Sequence, residues 1–155
     1  MEKYVQPFID TTLKVFKDFL NTNIVANTPH FVNRADKTEW SISGIIGLTG
    51  EAQGAVVLSM KTDLALELTK TLTGEAVTEV NDDVIDAVGE IVNIIAGNVK
   101  KDLEEMFKLV ISLPTIIQGE SHSTFWANQN NTRAICIPFS ILQKYTFTLT
   151  VALKG

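Results

Sequence analysis

The chain has 155 residues, 45% of them apolar and 20% charged, and its 18 acidic against 13 basic side chains leave a net charge of −5. That is the size and apolar content of a single domain with a real core, expected over residues 1–155, and it offers no electrostatic footprint for nucleic acid or anionic lipid. One cysteine excludes an internal disulfide, two histidines leave no zinc ligand set, and no run of eighteen apolar residues predicts a membrane span.

The first element is a helix from Tyr4 to Leu20, with Val5, Phe8, Ile9, Leu13, Phe16 and Leu20 at helical spacing. Lys3, Asp10, Lys14, Lys17 and Asp18 interrupt this stretch, so it is no secretory signal, and a cytoplasmic location is expected. Asn27, Thr28 and Pro29 break the chain. Trp40, Ile42, Gly44, Ile46 and Leu48 then alternate with Ser41, Ser43, Ile45 and Gly47, and after a turn at Thr49 to Ala52 a second strand runs from Gln53 to Met60. The two form an antiparallel hairpin. A short helix from Thr62 to Leu72, opened by a threonine cap and closed by Gly74, precedes a long helix capped by Asn81 and running to about Phe107. Asp82 and Asp83 sit favourably against its dipole.

Strands follow at Leu109 to Leu113, Thr115 to Gln118, Ala134 to Phe139 and Thr146 to Leu153, the third preceded by a turn at Asn128 to Thr132. The last is the cleanest, alternating Phe147, Leu149, Val151 and Leu153 with Thr146, Thr148, Thr150 and Ala152. Cys136 reads as a small hydrophobe within its strand, and His122, between serines just beyond Gly119, as part of a solvated turn. Helix followed by strands occurs over residues 4–74 and again over 82–155. The fold class is therefore α+β, two long helices on one face of a largely antiparallel sheet, built from two α-then-β half repeats.

One helix face departs from an ordinary wet surface. Asp86, Glu90, Asn93 and Gly97 stand at i, i+4, i+7 and i+11, all within roughly 60° of arc. An exposed face is most stable with alanine, glutamate or lysine, yet this one carries a mid-helix Asn and is flanked by Gly89 and Gly97, each glycine costing about 1 kcal/mol against alanine. Small residues a turn away expose the side chains between them to another protein. An amide on a short arm orients water but is no general base, and orientation is what hydrolysis of a phosphoryl group through a loose transition state requires. Glu90 supplies a fixed negative charge suited to a partner's lysine.

The run Gly89-Glu90-Ile91-Val92-Asn93-Ile94-Ile95-Ala96-Gly97, with Asp86 before it and Pro114 after it, resembles the signature of the CheC, CheX and FliY phosphatases. Val92 stands where many members have glycine. The resemblance covers the whole chain and implies a CheC-like fold and a phosphatase acting on a phosphorylated CheY-like response regulator. It further implies that Glu90 grips the receiver's lysine, Asn93 positions the attacking water, Asp86 supports them and Pro114 shapes the following turn. Under it no cofactor belongs to this chain, Mg2+ belongs to the receiver, and the protein is a homodimer joined at sheet edges, for which Thr146 to Leu153 is one candidate. At matching positions the first helix carries Asp10, Lys14 and Lys17, and a lysine in place of the glutamate repels a receiver lysine. One site per chain, the CheX arrangement, is expected. The alternative is a non-catalytic module that docks a receiver or flagellar-switch protein with the same helix.

Overall fold

A computed structural model describes residues 2–33, 39–124 and 133–155. In chain order the elements are α1 (Val5–Leu20), β1 (Ile24–Ala26), β2 (His30–Phe31), β3 (Trp40–Gly50), β4 (Gln53–Met60), α2 (Thr62–Thr73), α3 (Asp82–Asp102), β5 (Leu109–Ile111), β6 (Thr115–His122), β7 (Ile135–Ile141) and β8 (Tyr145–Lys154). The expected turn at Asn128 to Thr132 lies outside the described residues. Among those residues no helix is long and apolar enough to cross a membrane.

The strands form one antiparallel sheet in the order β1-β7-β8-β4-β3-β5, with β2 also pairing β7 and β6 also pairing β3. Read as broken strands, β1 with β2 and β5 with β6 make this order a palindrome about the β8–β4 joint, so the two half repeats are present in space. They are also interlocked. The broken strand of each half pairs with the first long strand of the other, as in Ala26 opposite Phe139 and Gly44 opposite Ile116. The long helices follow the same exchange: Phe16 of α1 stacks on Phe147 with centroids 4.8 Å apart, and Phe147 stacks on Phe139 at 5.0 Å, while Val88 and Val92 of α3 lie over Gly44 of β3.

Alternation decides which face the helices cover. Ile42, Ile46, Val56, Leu58, Leu149, Val151, Ile137 and Phe139 are almost wholly buried and share that face through the strand register. Burying them is the main favourable term of folding, about 1.5–3 kcal/mol for each large side chain. Thr11 Oγ1 donates to Asp102 Oδ2 at 2.8 Å, tying α1 to the end of α3 and giving a partner to a carboxylate placed against the local dipole.

Several expectations need correction. The long helix ends at Asp102, and Leu103 to Phe107 continue as tight turns in which Met106 N–H donates to the Leu103 carbonyl at 2.9 Å. Thr62 is the first helical residue of α2 and caps nothing; the N-cap is Lys61, with Asp63 Oδ1 accepting from Leu64 N–H at 2.7 Å. Gly74, at φ 78°, closes that helix as expected. His122 lies in β6, not in a solvated turn: Nε2 is 2.7 Å from Ser43 Oγ and Nδ1 is 2.7 Å from the Gly119 carbonyl. Since a carbonyl only accepts, Nδ1 carries a proton. Finally, β8 is no edge. It lies between β7 and β4, and the open edges among the described residues belong to β5 with β6 on one side and to the β1–β2 pair on the other.

The β7–β8 hairpin turns through Leu142 and Gln143 at φ 57° and 54°, left-handed positions that cost about 1–2 kcal/mol each for non-glycine residues. Gln143→Gly should therefore raise stability, by about 1 kcal/mol after the entropy glycine adds to the unfolded chain. The check is a higher urea midpoint with an unchanged slope.

Candidate functional site

The helix that carries the polar stripe is held on every side but one. Asn81 caps it, its side-chain oxygen accepting from Val84 N–H at 3.1 Å, and Val84, Val88, Ile91, Val92, Ile95 and Val99 are buried. Close approach to the sheet is possible because β3 presents Gly44: a Cβ there would stand 3.0 Å from a Val92 methyl and 3.3 Å from one of Val88. Val92 is thus accommodated by a glycine on the strand instead of being one on the helix.

Asp86 and Glu90 are exposed, while Asn93 and Gly97 are half-buried. Along the axis Asp86 and Asn93 are separated by about 10 Å and Glu90 and Asn93 by about 4.5 Å. Among the described residues these three side chains enter no hydrogen bond or ion pair. Their donors and acceptors are free for a partner, at positions fixed by a rigid helix. The stripe is also bipolar, with Asp82 and Asp83 in the first turn of α3 and Lys100 and Lys101 in the last. Beyond Gly97 the lysine end opens into a shallow depression of about 500 Å³ bordered by Lys100, Lys101, Glu104, Lys108 and Leu109.

Pro114 is brought to the stripe, and the reason alters the reading of Gly89. That glycine is buried, and a Cβ on it would lie 3.5 Å from Pro114 Cγ and 3.7 Å from Ile116 Cδ1. It therefore does not bare the neighbouring side chains to a visitor but makes room for the segment joining β5 to β6. Gly97 behaves as expected, with nothing within 4 Å of where its Cβ would be. The joining segment is itself anchored. Ser112 Oγ accepts from Gly47 N–H at 2.8 Å and donates to the Leu113 carbonyl at 2.9 Å. Further back, Lys108 N–H donates to Glu51 Oε1 at 2.7 Å, and its carbonyl accepts from Glu51 N–H at 2.9 Å.

Leu109 shares the depression with Gly97 and Pro114 lies against Gly89, so residues 109–114 run beside α3 in the opposite direction. Asn93 stands midway along the helix axis between those two glycines. Sequence reasoning missed Leu113, which is 87% exposed on this segment. By sequence Leu113 continues the alternation of Leu109 and Ile111, but β5 ends at Ile111, and the signal was the proline that follows Leu113. On the first helix, Asp10, Lys14 and Lys17 are all exposed, and Asp10 Oδ1 accepts from Gln6 Nε2 at 2.8 Å. No Glu and Asn pair occurs there. No group of three or more His, Cys, Asp or Glu side chains among the described residues could hold a metal ion.

Comparison with known proteins gives consistent results. The family described as Chemotaxis phosphatase CheX matches residues 42–140. Thermotoga maritima CheY-P phosphatase CheX is 23% identical over 155 residues, covering 99% of this chain and 97% of that protein. Among solved structures, the chemotaxis protein CheX from Vibrio vulnificus superposes with a TM-score of 0.89 at 25% identity, covering 99% of this chain and all of that one. The CheX–CheY–BeF3–Mg2+ complex from Borrelia burgdorferi gives 0.80 at 25% identity, with 99% of each chain covered.

Proposed function

Since the chain belongs to the CheX family of chemotaxis phosphatases, we propose that it dephosphorylates a phosphorylated CheY-like receiver by inserting Asn93 into the receiver's active site. The observation that carries the reading is the pairing of a free carboxylate with a free amide one turn apart, on a helix whose every other face is packed. Glu90 pairs with the receiver's lysine and sets the depth of insertion. The Asn93 amide oxygen accepts a hydrogen bond from a water molecule and aims its lone pair at phosphorus, in line with the aspartyl oxygen. The P–O bond to the aspartate breaks as the bond to water forms, giving a free carboxylate and inorganic phosphate. No base is needed on this chain, because the proton leaves with phosphate or solvent.

Asp86 supports the docking of Glu90 from the preceding turn, and Pro114, seated on Gly89, holds the neighbouring segment in place. Magnesium is part of the receiver's site, as in the relative whose complex contains CheY, BeF3 and Mg2+. Residues 1–155 act as one functional domain with one site. A homodimer through an open sheet edge belongs to the same reading; β6, eight residues long and paired on one side only, with β3, is the longest such edge strand among the described residues.

Mixing the protein with a phosphorylated receiver and Mg2+, and following loss of the phosphoryl group, tests the proposal. Acceleration well above the receiver's own decay is expected. Unchanged decay for every receiver tried, with binding intact, would leave the non-catalytic docking module in its place.

A further inference from the structure

We propose that Leu113 is the specificity determinant of this phosphatase, an apolar knob that seats on the receiver's surface outside its phosphorylation pocket; the inference rests on the function proposed above. Leu113 is 87% exposed, well beyond the next large apolar side chains, Leu142 at 63% and Val25 at 62%. A leucine so placed has about 1.5–3 kcal/mol to gain from burial. It is also held rigidly. Its own carbonyl accepts from Ser112, whose hydroxyl is fixed by Gly47, and the next residue is a proline packed on α3 beside Glu90. An anchor fixed before binding loses little conformational entropy when it docks.

Its place beside the stripe identifies the occupant. Residues 109–114 run antiparallel to α3, and Leu113 stands directly before the Pro114 that packs on Gly89, whereas Val110, 60% exposed, pairs with Thr49 and points to the other face of the sheet. Leu113 adjoins the proline that lies against Gly89, one residue before Glu90, so a protein gripped by Glu90 comes close to it. The homodimer proposed above is held by strand pairing at a sheet edge, and one exposed leucine adds little to the area a stable dimer buries, so a second copy is not the occupant. Charge and chemistry divide the work. Glu90 and Asn93 meet a lysine and a phosphoryl group, which all phosphorylated receivers offer. Leu113 meets surface beyond that pocket, where receivers differ, so the choice among them falls to it.

Steady-state dephosphorylation separates this from a structural role. Leu113→Ser should raise KM about tenfold or more while kcat stays within about twofold, and Leu113→Met should restore KM. Leu142→Ser, on the hairpin across the sheet, should change neither, and circular dichroism should be the same for all variants. Titration against receiver loaded with beryllofluoride and Mg2+ should show the same rise in Kd without turnover. An unchanged KM and Kd with an active wild type overturns the inference alone. So does a fall in kcat at constant KM, or a change of oligomeric state in Leu113→Ser by light scattering, which would assign the knob to a second copy. A wild type that neither binds nor dephosphorylates any receiver overturns the proposed function with it.

Discussion

Asn93→Ala should lower receiver dephosphorylation by about a hundredfold or more, toward the receiver's own decay, while affinity for beryllofluoride-loaded receiver changes less than about threefold. The magnitude follows from what one positioned group contributes when chemistry depends on aligning water, roughly 10²–10³ in rate. Stability supplies a second, opposite readout. The amide has no partner among the described residues, so its removal breaks no bond there, and alanine is a better helix residue than asparagine by up to about 0.7 kcal/mol. The variant should melt slightly higher than the wild type while being nearly inactive. Loss of activity accompanied by loss of stability would mean that Asn93 supports the helix and not the water. Glu90→Ala should differ in kind, weakening binding and turnover together, because the carboxylate acts in both ground and transition states.

The second large effect concerns the joint between the halves. Gly54→Ala should destabilise the protein by several kcal/mol, enough to cut the yield of folded protein sharply against a usual total of about 5–15 kcal/mol. In β4 Gly54 lies opposite Leu153 of β8, and a Cβ there would fall onto the Ala152 carbonyl oxygen, 2.7 Å from its carbon and 3.0 Å from Leu153 Cα. All three atoms are backbone, so the clash is relieved only by opening the central β4–β8 pair. Urea unfolding of whatever folds should show a midpoint far below that of the wild type. A midpoint within error of it would mean that the pair adjusts freely and that the joint is not tight.

Most of the architecture could be read from the letters because it is local. Helical spacing marked α1 and α3, strict alternation marked β3, β4 and β8, and Asn81 and Gly74 announced the helix ends they cap. The elements not foreseen depend on distant partners. β1 and β2 have three and two residues, too few for any periodicity, and exist because β7 lies alongside. β8, with its alternating threonines, was one candidate for a sheet edge, yet it lies between β7 and β4, with Thr150 only 8% exposed and Ala152 not at all. Threonine is as much at home in a covered strand as in an open one. At the site, the spacing of Glu90 and Asn93 was legible from helical geometry alone. The function of Gly89 was not, since nothing local tells a glycine that invites a visitor from one that seats Pro114 twenty-five residues on.

The exchange of broken strands between the halves has a consequence for how the chain is made. During synthesis the N-terminal half leaves the ribosome first with its helix, its hairpin and the β1–β2 strand, but that strand's partner is still unmade. The hydrogen bond from Asn27 Nδ2 to Ser140 Oγ spans 113 residues, so β1 waits for nearly the whole remaining message to be translated. Phe16, too, has no Phe147 to stack on until then. Neither half can finish before the other, and the nascent chain carries an unpaired strand and a bare apolar helix face through most of its translation.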